Sequence, residues 1–120
     1  MPYIYIVRCE DNSLYTGIAM DLERRMREHY YKKKAGAKYT KSHQLRSLEM
    51  VWEAESWSYA AKLEYRIKRL LKSKKEELIL HPERANELPS LRQMGIRYQP
   101  HPEMTLEKCI LPVEEESRHL

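Results

Sequence analysis

The sequence predicts a small α/β (α+β) fold: a three-stranded mixed sheet built on an N-terminal β-hairpin and flanked by helices, in the order β-β-α-β-α-α. Three observations carry this. YIYIVR (3–8) and LYTGI (14–18) are short, apolar and rich in strand-forming residues, with the turn chemistry of CEDNS between them. Apolar residues recur at helical spacing in two later stretches. A further apolar run, LEMVWEA (48–54), separates those two. A doubly wound parallel sheet needs strict strand–helix alternation, and this order lacks it.

The loop between the first two strands is short enough to make them a hairpin. In MDLERRMREHYYKKK, Asp21 can cap a helix running from about 21 to 32. Leu22, Met26 and Tyr30 recur along it, and lysines crowd its C-terminal end, where the macrodipole favours cations. KAGAKYTKSHQ reads as a basic loop. SWSYAAKLEYRIKRLLK is the strongest helix, with Ala60, Leu63, Ile67, Leu70 and Leu71 on one side. Ser73 followed by Glu76 has the capping-box spacing and starts another short helix through EELIL. Five of the six prolines lie at 82 or beyond. Residues 1–81 therefore read as the core domain and 82–120 as a proline-containing appendage, with a helical turn near 90–94 and a late strand near 104–111.

Composition excludes several classes of protein. No apolar run reaches the roughly 18 residues of a membrane span, and the N-terminus reads as a strand, not a signal peptide. Two cysteines, Cys9 and Cys109, support neither a disulfide framework nor a zinc site, which points to a reducing cytoplasm. The five histidines are scattered. Charge is more telling. Residues 1–80 carry a net +6, residues 81–120 a net −2, and residues 24–75 alone hold 16 basic against 5 acidic side chains. Such a stretch suits a polyanion partner, or else a solvated lysine-rich face.

Side chains alternate faces along a strand. Tyr3 and Tyr5 therefore share one face of the first strand, and Tyr15 and Gly17 one face of the second. Gly17 would leave backbone room beside the two tyrosines for a ligand. On the first helix Arg25 and His29 stack four apart, about 60° and 20° from Leu22, at the edge of the apolar stripe. Glu64 stands about 40° from Ala60, inside the apolar stripe of its helix. An acid there is costly unless it is paired or holds a metal, and an i,i+4 pair with Lys68 is the simpler alternative.

Taken together, Tyr3-Ile4-Tyr5, Leu14-Tyr15-Thr16-Gly17, Asp21 to Arg25 with His29, and Glu64 on a later helix resemble the GIY-YIG nuclease family. The order and spacing agree over about residues 3–80. The likeness is nearest to small stand-alone bacterial members, which share the LYTGI strand and a loop like GAKYT (36–40). Tyr3 stands where the name-giving glycine would be, and Thr16 where isoleucine would be. The resemblance implies a divalent-metal-dependent endonuclease acting on DNA, or on RNA, with a place in DNA repair or recombination. It implies one Mg²⁺ or Mn²⁺ ion and no small-molecule cofactor. The motif tyrosines fall on Tyr5 and Tyr15, the arginine on Arg25, the helix histidine on His29 and the metal-binding glutamate on Glu64. Tyr15 is the expected base, provided nearby cations favour its phenolate, with Tyr5 positioning it. Asn86 lies in the region where some members carry an asparagine. Lys32, Lys33, Lys34, Lys38, Lys41 and Lys68 are the expected phosphate contacts. The alternatives are a nucleic-acid-binding module of the same fold that cleaves little or not at all, and a protein-interaction subunit of a repair complex.

Overall fold

Strand β1 (Tyr3–Cys9) lies inside the sheet and is buried on both faces, so YIYIVRC reads as a nearly unbroken apolar run. In the computed structural model, whose described residues are 1–31 and 43–110, β1 pairs with β2 (Leu14–Ala19) on one side and β3 (Leu45–Glu53) on the other. A two-residue strand β4 (Gln99–Pro100) extends the order to β2-β1-β3-β4. The sheet thus has four strands where three were expected, and every pairing is antiparallel, not mixed.

One face of the sheet carries Tyr5, Val7 and Cys9. Leu22 and Met26 of helix α1 (Leu22–Tyr30) cover it, together with Leu106, Cys109 and Ile110. The other face carries Ile4, Ile6, Met50 and Trp52. Ala60, Leu63 and Ile67 of α2 (Trp57–Lys68) and Leu78 of α3 (Lys72–Leu80) pack there. Ala85, Leu91, Ile96 and Tyr98 complete that second layer, so residues after Leu80 enter both cores.

Asp21 caps α1 by accepting from the Arg24 amide at 3.1 Å, and Ser56 caps α2 by accepting from Tyr59 at 3.1 Å. Other expectations fail for identifiable reasons. Leu71 is 75% exposed, because α2 stops at Lys68 and leaves the apolar stripe unextended. α3 starts without a side-chain cap. Glu76 instead takes a two-pronged grip from Arg8, at 2.5 and 2.9 Å, and the same guanidinium holds Glu49 at 2.8 and 3.0 Å. A bulge that leaves Glu49 without a partner in β1 accompanies that second pair. The late stretch expected as a strand is helical over 106–110. Leu106, Cys109 and Ile110 follow i, i+3, i+4 spacing toward the sheet.

Candidate active site

The site is assembled at the β2 edge of the sheet, where α1 closes one face and α2 the other. Tyr5 and Gly17 are direct partners in the β1–β2 ladder. Gly17 has ordinary backbone geometry, so its missing side chain is not a matter of conformational freedom. A Cβ there would meet the Tyr5 Cζ at 2.6 Å and the Tyr5 hydroxyl closer still. The space expected for a ligand beside Gly17 is filled by the Tyr5 ring itself.

From that position the Tyr5 hydroxyl meets His29 Nε2 at 2.7 Å, with the Arg25 guanidinium close enough to favour its ionised form. Tyr5 is 1% exposed and His29 0%. Burial pushes the Tyr5 phenol well above the ordinary tyrosine range, against the pull of the Arg25 hydrogen bond. Burial, then the Arg25 charge, lowers the His29 pKa to about 4, with Glu28 opposing. Both groups are therefore neutral near pH 7.

Tyr15 lies on the same face of the sheet, its ring 6.5 Å from that of Tyr5 and 5.9 Å from that of His29. Unlike them it is only part-buried. Lys68, one turn after Glu64 on α2, sets its ammonium 5.8 Å from the Tyr15 ring centre and 3.3 Å from the Glu64 carboxylate. Tyr15 and Glu64 thus flank one cation, and the negative charge of Glu64 extends to Tyr5. The helix that carries Glu64 is held at its first turn by Tyr98, whose hydroxyl donates to the Tyr59 carbonyl at 2.7 Å.

All five residues singled out in the sequence therefore cluster, in two tiers. Tyr5 and His29 form a buried floor, and Tyr15, Arg25 and Glu64 reach the surface above it. A cleft of about 340 Å³ opens beside Arg25, lined in part by Asp21, Arg24 and Glu28. Glu28 was missed in the sequence. It pairs with Arg25 at 3.1 Å and with Arg24 at 3.6 Å, and the signal for it was the i,i+3 and i,i+4 spacing. Asn86 does not join the site; its amide brackets the Tyr98 backbone with bonds of 2.9 and 2.7 Å. Lys32, Lys33, Lys34, Lys38 and Lys41 lie outside the described residues.

Two phenols and an arginine, with a carboxylate and an ammonium at the rim of a small antiparallel sheet, make a site suited to phosphoryl chemistry. The chain belongs to the GIY-YIG family: the GIY-YIG catalytic domain matches residues 1–77. That is a nuclease family whose members generally use divalent metal ions and act on nucleic acid. Within it the chain is similar to small bacterial UPF0213 proteins. It is 43% identical over 96 residues to one from Fusobacterium nucleatum, covering 79% of this chain and 94% of that one. It is also 43% identical over 94 residues to one from Vibrio cholerae, covering 76% and 89%. The solution NMR structure of a UPF0213 protein from Bacillus halodurans is 41% identical, covers 66% of this chain and 83% of that chain, and superposes with a TM-score of 0.43. No helix among the described residues is long and apolar enough to cross a membrane.

Proposed function

We propose that this chain is a divalent-metal-dependent endonuclease that hydrolyses phosphodiester bonds in DNA, in the cytoplasm, as part of DNA repair or recombination. The observation that carries the reading is the convergence of Tyr15, Arg25 and Glu64 above a buried Tyr5–His29 floor.

Among the described residues, no three His, Cys, Asp or Glu side chains gather where they could hold a metal ion. Beside Tyr15 and Lys68 the site offers one carboxylate, Glu64, 22% exposed. That donor set fits Mg²⁺ or Mn²⁺, which keep several waters and take one or two carboxylates plus substrate phosphate. The ion, when bound, supplies positive charge to a phosphate oxygen and activates water.

The remaining roles fall to the chain. Arg25 donates to a non-bridging phosphate oxygen as charge builds on it. Tyr15, as its phenolate, takes the proton of the attacking water as the water oxygen bonds to phosphorus; the bond to the leaving oxygen breaks, and solvent returns a proton to that oxygen. Of the two phenols it is the one that reaches solvent and has an ammonium beside it. Tyr5 is a positioning residue: it shares a hydrogen bond with His29, neighbours the Arg25 guanidinium, and so ties the first helix to the sheet beside Arg25. Lys68 and the lysines of 32–41 contact the phosphate backbone without reading sequence.

The Glu64–Lys68 pair is the observation that favours the second reading, a binding module with little or no cleavage. Glu64→Gln separates the two. Under the nuclease reading, nicking of plasmid DNA in Mg²⁺ or Mn²⁺ falls by at least about 100-fold, while the far-ultraviolet spectrum and DNA affinity hold. A variant that nicks as fast as the parent removes Glu64 from the chemistry.

A further inference from the structure

The face of α2 next to the one that carries Glu64 has a surface that the reading above leaves unused. Trp57, Ala61, Tyr65 and Arg69 follow one another at intervals of four and so form a single stripe along the helix. Trp57 is 50% exposed and Tyr65 59% exposed, two large aromatics about 12 Å apart along the axis. Arg69 lays its guanidinium 5.3 Å from the Tyr65 ring centre and donates to the Tyr65 hydroxyl at 3.2 Å. Beside this stripe, between α2 and the short helix α4 (Pro89–Gln93), lies a groove of about 460 Å³. Ala61, Tyr65, Leu91 and Met94 give it apolar walls, Lys62 and Arg66 stand at it, and none of the residues lining it is acidic. Arg66 is held in place by a hydrogen bond to Ser90.

An apolar slot walled by an aromatic ring, edged by two serines and by no charge other than cations, suits a planar group attached to an anion. We propose that this groove receives an unpaired nucleobase of the substrate strand, stacked against Tyr65, with Lys62, Arg66 and Arg69 contacting the flanking phosphates. Charge complementarity selects this occupant over an apolar peptide. So does continuity: Tyr65 directly follows Glu64, and Lys68 and Arg69 carry positive charge from the site to the groove. The inference rests on the nuclease reading and narrows it. The preferred substrate has unpaired nucleotides next to the bond that is cut, because a base inside a duplex cannot reach Tyr65.

The test is fluorescence anisotropy on the full chain with a labelled single-stranded oligothymidine and a duplex of the same length, using Tyr65→Ala and Tyr65→Phe. Tyr65 is exposed, and a circular dichroism melt checks that both variants fold. The parent binds the single strand more tightly than the duplex. Tyr65→Ala weakens single-strand binding by about 5- to 150-fold and leaves duplex binding and the salt slope unchanged, since stacking releases no counterions. Tyr65→Phe keeps the ring and keeps the affinity. Equal losses on both probes, or no loss on either, overturn the proposal while the nuclease reading stands, as does a parent that binds duplex alone. A parent that binds neither probe overturns the nuclease reading as well.

Discussion

Replacing Gly17 with alanine tests the packing on which the whole site rests. An ordinary glycine-to-alanine change in a strand stabilises by about 0.5–1 kcal/mol, because the unfolded chain loses freedom. Here the added methyl would stand 2.6 Å from the Tyr5 Cζ. Tyr5 cannot swing away cheaply, since it is buried and its hydroxyl is bonded to His29 at 2.7 Å. Forcing a methyl into a filled core costs about 1–3 kcal/mol, and losing the hydroxyl bond adds about 1 kcal/mol. The net expectation is a loss of about 1.5–3 kcal/mol. With about 2.1 cal/mol/K of unfolding entropy per residue, a chain of 120 residues loses about 4 °C in Tm for each kcal/mol, so Tm falls by about 6–12 °C. Thermal melts of the parent, Gly17→Ala, Tyr5→Phe and the double variant give the coupling directly. Tyr5→Phe removes the atom nearest the new methyl and has already lost the hydrogen bond. The double variant should therefore be less damaged than the two single costs combined, by about 1–2 kcal/mol. Two costs that add in full, or a Gly17→Ala protein as stable as the parent, would show that the Tyr5 ring does not lie over Gly17.

Acid should weaken the fold through His29. Its folded pKa of about 4 lies below the ordinary 6.5, so the unfolded chain binds the extra proton first. Stability therefore falls as pH drops from 6.5 to 4, by up to about 3 kcal/mol. Glu76, whose carboxyl Arg8 holds below the usual range, adds its own loss at lower pH. The difference in urea midpoints between the parent and His29→Gln across pH 4–7 isolates the histidine; parallel curves would contradict its buried neutral state. Thr16→Val should raise Tm by about 4–8 °C, since the Thr16 hydroxyl is buried with no hydrogen-bond partner among the described residues, a burden of about 1–2 kcal/mol. A lower melting temperature would mean that the hydroxyl is bonded.

The candidate site was legible in the sequence because its residues obey short periods. Tyr3 and Tyr5 two apart, and Arg25 and His29 four apart, point the way strands and helices require, whatever packs on them. Glu64 stood out because an acid inside an apolar stripe is rare. The failures all involve competition between a local rule and a distant partner. Glu76 had the spacing of a cap, but Arg8, 68 positions away, offered two hydrogen bonds from a cation in place of one from an uncharged backbone amide. Gly17 looked like an opening because nothing local shows that the Tyr5 ring across the ladder fills it. Asn86 and Leu106 to Ile110 were lost for want of context, since a sequence does not show which surface a late segment will find.

The bracket between Asn86 and Tyr98, with the Tyr98 hydroxyl on the first turn of α2, sets a limit on transplantation. The stretch that matches the family ends at residue 77, and a protein engineer would naturally cut there to fuse this domain to a targeting module. Such a graft would leave behind Ala85, Leu91, Ile96 and Tyr98, uncovering Trp52 and the inner side of the helix that carries Glu64. The portable cassette is accordingly longer than the stretch matched by the family's catalytic domain. A graft has to carry the chain through Ile110, because Leu106, Cys109 and Ile110 cover the other face of the sheet.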